Sequence, residues 1–357
     1  MRSSAGRHAV TMALLALGAS ACSRASEPHS VPTASVRVLV SNETAGTVAI
    51  VDPATGAIEH VVAVGKRPRG LKLSRDGRQL FVALSGSPIA PPGVDESTLP
   101  PPDRAADGIG VVDVATRTLV RTYPSGQDPE SFDLSPDGKT LYVSNEETAE
   151  MSVLDLATGT IVARVPVGEE PEGVTVRPDG RAVYVTSEAE GTVVAIDTST
   201  RAVIARVPTA KRPRSIVFTL DGATMFVTGE TGNAVSVVDV ATHTVMSNIV
   251  PGVPAGDAGP PRPMGAVLSP DGRELFVSNG RGRSVSAIDV ATRQVTRTFA
   301  DVGVRPWGIG ISPDGRTVYT ANGPSGDLSV VDAASGRVIR RIDLGGSPWG
   351  VAVASAH

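Results

Sequence analysis

From Val36 to Ala354 the apolar residues fall in short clusters, rich in Val and Ile, that are separated by Gly, Pro, Asp and Asn. Clusters of this length and composition, bounded by turn residues, predict short strands. One stretch shows the grammar: Gly173–Arg177, Ala182–Ser187, Thr192–Asp197 and Val203–Val207 read as four strands. The first two strands of a unit are joined by Asp-Gly, with the aspartate at 76, 137, 179, 221, 271 and 314. Glycine there accepts the positive φ of a tight hairpin. The third and fourth are joined by Asp-x-Ala-Thr-x or a close variant, its aspartate at 52, 113, 155, 197, 239, 289 and 332. An Asp side chain in that place accepts backbone N–H groups of its own turn, so these thirteen aspartates are read as structural.

The units count to seven. Pro-x-Gly (or Pro-x-Ser) begins at Pro68, Pro129, Pro171, Pro213, Pro263, Pro306 and Pro348, a period near 42 residues broken by two insertions. The insertions are the proline-rich 85–107, between a second and a third strand, and 251–262, between units. The chain ends after one strand, Gly350–Ala354, and begins with three, Val36–Ser41, Thr47–Val51 and Ala57–Val64. Joining them completes a seventh blade and removes the open edge of an uncapped array. The expected fold is all-β: a seven-bladed β-propeller of four-stranded blades over 36–354, its ring closed by one C-terminal and three N-terminal strands, followed by a tail at 355–357.

Composition narrows the picture. Apolar residues make up 41% but aromatics only 3%, so the core is built from Val, Ala, Leu and Ile. A formal net charge of −4 does not propose nucleic acid as the main partner. The single cysteine, Cys22, excludes a disulfide framework and a multi-cysteine zinc site. Arg2 and Arg7 precede an apolar run from Ala9 to Leu17 that is too short to span a bilayer, so residues 1–21 read as an export signal. Gly18-Ala19-Ser20-Ala21-Cys22 resembles a bacterial lipobox, which makes Cys22 a candidate for lipidation and 22–35 a flexible tether. Ala19-Ser20-Ala21 also fits ordinary signal cleavage. The expected location is the periplasm or the outer membrane, reached by a lipid anchor only.

Tyr142-Val143-Ser144-Asn145, Tyr184-Val185-Thr186-Ser187, Phe226-Val227-Thr228-Gly229 and Phe276-Val277-Ser278-Asn279 resemble the bacterial YVTN-repeat propeller family. Arg67-Pro68-Arg69-Gly70, Glu170-Pro171-Glu172-Gly173 and the final Pro348-Trp349-Gly350-Val351 are similar to the subgroup associated with pyrroloquinoline quinone (PQQ)-dependent alcohol catabolism. That resemblance implies a propeller fold and a role beside a PQQ-dependent dehydrogenase.

In a propeller the first strand of each blade lines the central channel, so the residues around each Pro furnish one mouth. The candidates for ligand or partner binding are Arg67, Arg69, Glu130, Glu172, Arg212, Arg214, Arg262, Arg305, Trp307 and Trp349. Arginine forks suit carboxylates, which points to an unknown small anionic ligand or an envelope protein as partner. The alternative for the Arg and Glu residues is mutual pairing around a wet channel. No histidine falls at the mouth, so the sequence names no catalytic residue, no metal and no cofactor; a Glu146, Glu188 and Glu230 cluster holding a hard cation is a side alternative. The expected function is a non-enzymatic, envelope-anchored, monomeric propeller with a binding or scaffold role, accessory to a PQQ system. The alternatives are a lactonase-like or lyase-like enzyme and a single-stranded nucleic-acid binder.

Overall fold

The computed structural model describes residues 36–89, 94–95, 98–254 and 259–355. The export signal, Cys22 and the tether lie outside the described residues, as does the end of the tail. Among the described residues, no helix is long and apolar enough to cross a membrane.

Among the described residues, twenty-eight strands, numbered in chain order, form seven four-stranded antiparallel sheets. The innermost strands are β4 (Pro68–Leu73), β8 (Pro129–Leu134), β12 (Pro171–Val176), β16 (Pro213–Phe218), β20 (Pro263–Leu268), β24 (Pro306–Ile311) and β28 (Pro348–Ser355). Each neighbours the next, and β28 returns to β4, which closes the ring. The seventh blade is the shared one. Strand β28 pairs with β1 (Val36–Asn42) through Val38↔Val353 and Val40↔Val351, and β1 is followed by β2 (Thr47–Asp52) and β3 (Ala57–Ala63). We call this blade 1 and count onward from β4.

The middle strands explain the runs of consecutive apolar residues. In blade 4, β13 (Ala182–Ser187) and β14 (Thr192–Asp197) are covered by neighbouring blades on both faces, and Val183, Tyr184, Val193 and Val194 are at most 1% exposed. Fully burying one such side chain contributes about 1.5–3 kcal/mol. Strand β15 (Val203–Pro208) is outermost and largely exposed. Seven apolar clusters fill the seven blade-to-blade interfaces, as where Val183 and Val185 meet Met151 and Val153.

The turns behave as their residues require. Gly180 has φ 74° after Asp179, whose carboxylate accepts the Arg181 N–H at 3.0 Å. Asp155 accepts the Thr158 N–H and hydroxyl at 2.8 and 3.1 Å.

The innermost strands start earlier than expected, at Pro171 where Gly173 was expected and at Pro348 where Gly350 was. The reason is a bulge. Pro171 pairs with Ser187, but the next pair is Val174↔Val185, so one extra residue sits on the inner strand. The same irregularity follows the Pro in blades 2, 3, 5, 6 and 7.

Candidate functional site at the channel mouth

The bulge governs where the residue after each Pro goes. Around the ring these are Arg69, Glu130, Glu172, Arg214, Met264, Trp307 and Trp349, so blades 2 to 5 contribute charge and blades 6, 7 and 1 contribute apolar bulk. A hydroxyl from the preceding blade fixes several of them. Ser144 Oγ accepts the bulge N–H of Ser131 at 3.2 Å and donates to the Glu172 carbonyl at 2.6 Å. Thr228 does the same for Met264, Ser278 for Trp307 and Ser41 for Arg69, at 2.6, 2.9 and 2.7 Å. The Gly that follows answers a close approach: a Cβ on Gly308 would lie 2.3 Å from the Trp349 carbonyl oxygen.

The residue before the Pro is held in the left-handed region in six blades. Arg67, Asp128, Glu170, Arg212, Arg262 and Arg305 have φ between 41° and 58°. For a residue bearing a Cβ this costs about 1–2 kcal/mol each. From there Arg67, Asp128, Arg212 and Arg262 reach charged partners on the preceding blade.

Two arginines anchor the charged half. Arg69, 4% exposed, pairs with Asp128 and Glu130 and lies 3.6 Å from Glu146. Arg214 contacts three carboxylates: Glu172 and Glu188 through Nη1, and Glu230 through Nε and Nη2 at 3.0 and 2.7 Å. Its neighbour Arg212 reaches Glu188 at 2.6 Å. Burial pushes the Glu172 carboxyl well above the usual carboxylate range. Arg214 opposes that shift, while the charge of Glu188 and a hydrogen bond to it reinforce it. Burial likewise raises Glu146 and Glu170. Burial disfavours charge on Arg214, yet Glu172, Glu188 and Glu230 together outweigh it and raise its pKa. In Glu230, burial is outweighed by Arg214 and Arg212, and its carboxyl is held below its usual value.

The apolar half is an aromatic corner. Trp307 and Trp349 meet edge to face, ring centroids 5.7 Å apart, and the Arg305 guanidinium lies 4.8 Å from the Trp307 ring centroid. Both halves open on a channel cavity of about 320 Å³, lined at its mouth by Glu172, Arg214, Met264, Trp307 and Trp349.

The ten mouth candidates thus lie on one face, but they are not equivalent. Arg67, Arg69, Arg212 and Arg214 spend donors on Glu43, Asp128, Glu130, Glu172, Glu188 and Glu230, whereas Arg305 makes no ion pair or hydrogen bond among the described residues. Asn145 braces the mouth from within: it is fully buried and donates to Ser152 Oγ at 2.9 Å. The Glu188 and Glu230 oxygens proposed for a hard cation face guanidinium groups. Sequence reading missed Ser41, Ser144, Thr228 and Ser278; the recurring third position of the YVTN-like motif was their signal.

A closed ring of seven four-stranded blades around a charged mouth defines a seven-bladed β-propeller. The YNCE-like beta-propeller family model matches residues 95–178 and 176–356, and the chain belongs to that family. No curated protein matches the sequence. The chain is similar to the periplasmic gluconolactonase of Pseudomonas aeruginosa, with a TM-score of 0.70 and 21% identity over 89% of this chain and 99% of that one. It is similar to a Bacteroides uniformis protein provisionally named a 6-phosphogluconolactonase (TM-score 0.69, 17% identity, 90% and 100% covered). A Desulfotomaculum acetoxidans protein of unknown function is also similar (TM-score 0.72, 14% identity, 90% and 99% covered). At these identities the likeness shows the fold alone. Among the functions named for these structures, lactone hydrolysis recurs. The names of these neighbours run against the expectation of a non-enzymatic scaffold accessory to a PQQ system, which is corrected, and with its alternative, a lactonase-like enzyme. The physical reason agrees: the arginines on which the scaffold reading relied are largely engaged within the mouth, beside a carboxyl of raised pKa.

Proposed function

We propose that the chain is a lactonase-like hydrolase acting on small polyhydroxylated lactones at the channel mouth. The observation that carries this is the Glu172 and Arg214 pair lining the 320 Å³ cavity, with Glu188 behind it on the same guanidinium. Two carboxyls that share a hydrogen bond and a cation resist losing both protons, and the Glu172 carboxyl is the one raised above the usual carboxylate range.

Ionised Glu172 takes a proton from a water as its oxygen adds to the lactone carbonyl carbon. The carbonyl π pair moves onto oxygen. Arg214 has five N–H donors. Three are donated to Glu172 and Glu230, and Nη1 is also in ionic contact with Glu188, which leaves one Nη2 N–H for the developing oxyanion. Collapse re-forms C=O and breaks the ring C–O bond, and protonated Glu172 returns its proton to the leaving ring oxygen. The product is the open hydroxy acid. Met264, Trp307 and Trp349 present apolar faces to the carbon side of the substrate and keep bulk water off that wall.

The test is acid release from δ-gluconolactone by the purified protein, read with a pH indicator against the spontaneous rate. Turnover well above that rate supports the reading, and a rate equal to it contradicts the reading. Membership of the PQQ-associated subgroup, which rests on the Pro-x-Gly motifs and Pro348-Trp349, and export with an anchor at Cys22, which rests on residues 1–35, belong to the same proposal.

A further inference from the structure

The mouth arginines follow a pairing rule. A residue just after the second strand of each of five blades donates its N–H to the carbonyl of the residue before the Pro: Glu43 to Ser347, Glu146 to Asp128, Glu188 to Glu170, Glu230 to Arg212 and Gly280 to Arg262, at 2.8–3.0 Å. These five positions are structurally equivalent. Where the position holds glutamate and the next blade holds a mouth arginine, the two meet: Glu43 with Arg67 at 3.1 Å, Glu188 with Arg212 at 2.6 Å and Glu230 with Arg262 at 4.0 Å. In blade 6 the position is Gly280. Arg305, on the blade that follows, is the arginine for which no carboxylate is supplied.

Arg305 is half-buried. Burial lowers its pKa; the charge of Glu230, which makes no ion pair with it, opposes this, and the nearby charges of Arg214, Arg281 and Arg212 lower it further. Beside it the indole N–H groups of Trp307 and Trp349 are both buried without an acceptor among the described residues. Two unmatched donors on indoles that line the cavity, beside a cation with no ion pair that lies against one of them, favour a ligand group that only accepts hydrogen bonds and carries negative charge.

We propose that Arg305, with the indole N–H groups of Trp307 and Trp349, forms an anion subsite that binds a compact oxyanion on the substrate, a carboxylate or a phosphate, away from the reacting carbonyl. The inference rests on the lactonase reading and sharpens its substrate class to lactones bearing a negative charge. Glycine at 280 keeps the subsite open, since a glutamate there would quench Arg305 as Glu188 quenches Arg212.

Trp307 and Trp349 are the only tryptophans, so intrinsic fluorescence reports on this wall alone. The experiment titrates the protein with gluconate, glucose 6-phosphate and, as neutral control, glucose. At least one anion is expected to bind more than tenfold tighter than glucose; gluconate alone identifies a carboxylate site and glucose 6-phosphate alone a phosphate site. Gly280→Glu is expected to weaken that anion about tenfold, consistent with the loss of one charge-assisted pair. The glycine has no positive φ, and an added Cβ would meet the flexible Met264 side chain at 3.0 Å, so the substitution asks for a small shift. Arg305→Gln is expected to weaken binding equally and serves if Gly280→Glu does not fold. Wild-type affinity for the anion no greater than for glucose, or unchanged affinity in a folded variant, overturns the subsite. Anion binding of this kind without lactone turnover overturns only the lactonase reading, whereas turnover without it overturns only the subsite.

Discussion

Replacing Arg214 with Met measures how much of the mouth depends on one guanidinium. The side chain is 13% exposed, and its three carboxylate partners Glu172, Glu188 and Glu230 are 11%, 4% and 7% exposed. Removing one partner of a buried pair costs roughly 3–5 kcal/mol, because the remaining charge stays buried without compensation. Arg212, 2.6 Å from Glu188, offsets part of that loss and places the expected cost at the lower end, about 3 kcal/mol at pH 7.5. For a ring of this size about 2 °C is lost per kcal/mol, so melting should fall by roughly 6 °C. The effect carries a pH sign. Without Arg214 the buried carboxyls bind protons more tightly in the folded than in the unfolded state, and a raised folded pKa means that stability returns as pH falls through it. Melting followed by far-ultraviolet circular dichroism should therefore show a smaller deficit at pH 5 than at pH 7.5. A deficit below 2 °C at pH 7.5, or one identical at both pH values, would refute the argument.

Three further outcomes are expected. Ser144→Ala removes the hydroxyl that joins Ser131 N–H to the Glu172 carbonyl; it should cost about 1–3 kcal/mol in denaturant titration, since both backbone groups lose a buried partner. In the pH profile of kcat/KM, activity should fall on acidification through a value above the ordinary glutamate range of about 4.3, because burial raises Glu172 and the base form is the active one. Glu188→Gln, which removes the repelling charge, should move that limb down. Cys22→Ser, expressed with its leader, should shift the protein from the detergent phase to the aqueous phase; equal partitioning of variant and wild type would rule out the lipid anchor.

The ring was legible because its evidence is local and repeated. Each Asp-Gly hairpin and each Asp-x-Ala-Thr-x turn is specified by adjacent residues, and six full copies with a one-plus-three remainder leave one way to close. The bulge after each Pro was not legible, since it shows only when Pro171 and Val174 are set against Ser187 and Val185 on the neighbouring strand. The mouth residues could be listed from their distance to the Pro, and the structure does gather Arg67, Arg69, Glu130, Glu172, Arg212 and Arg214 on one face. Which arginine is quenched and which is free depends on the residue after the second strand of the preceding blade, some 24 positions earlier for Arg212 and Glu188. The clasping hydroxyls were hidden for the same reason: Ser144 acts on Glu172 in the next blade, so its role is invisible within its own repeat.

The central claim is that Glu172 moves a proton in lactone hydrolysis at the channel mouth, and the direct measurement is the initial rate of δ-gluconolactone hydrolysis by wild type and Glu172→Gln, each corrected for the spontaneous rate. Glutamine keeps the shape and cannot take the proton, so the rate should fall by about 10²–10⁴-fold while the variant stays folded, because Arg214 keeps Glu188 and Glu230 and burial already disfavours charge on Glu172. A variant that hydrolyses the lactone as fast as wild type would contradict the claim.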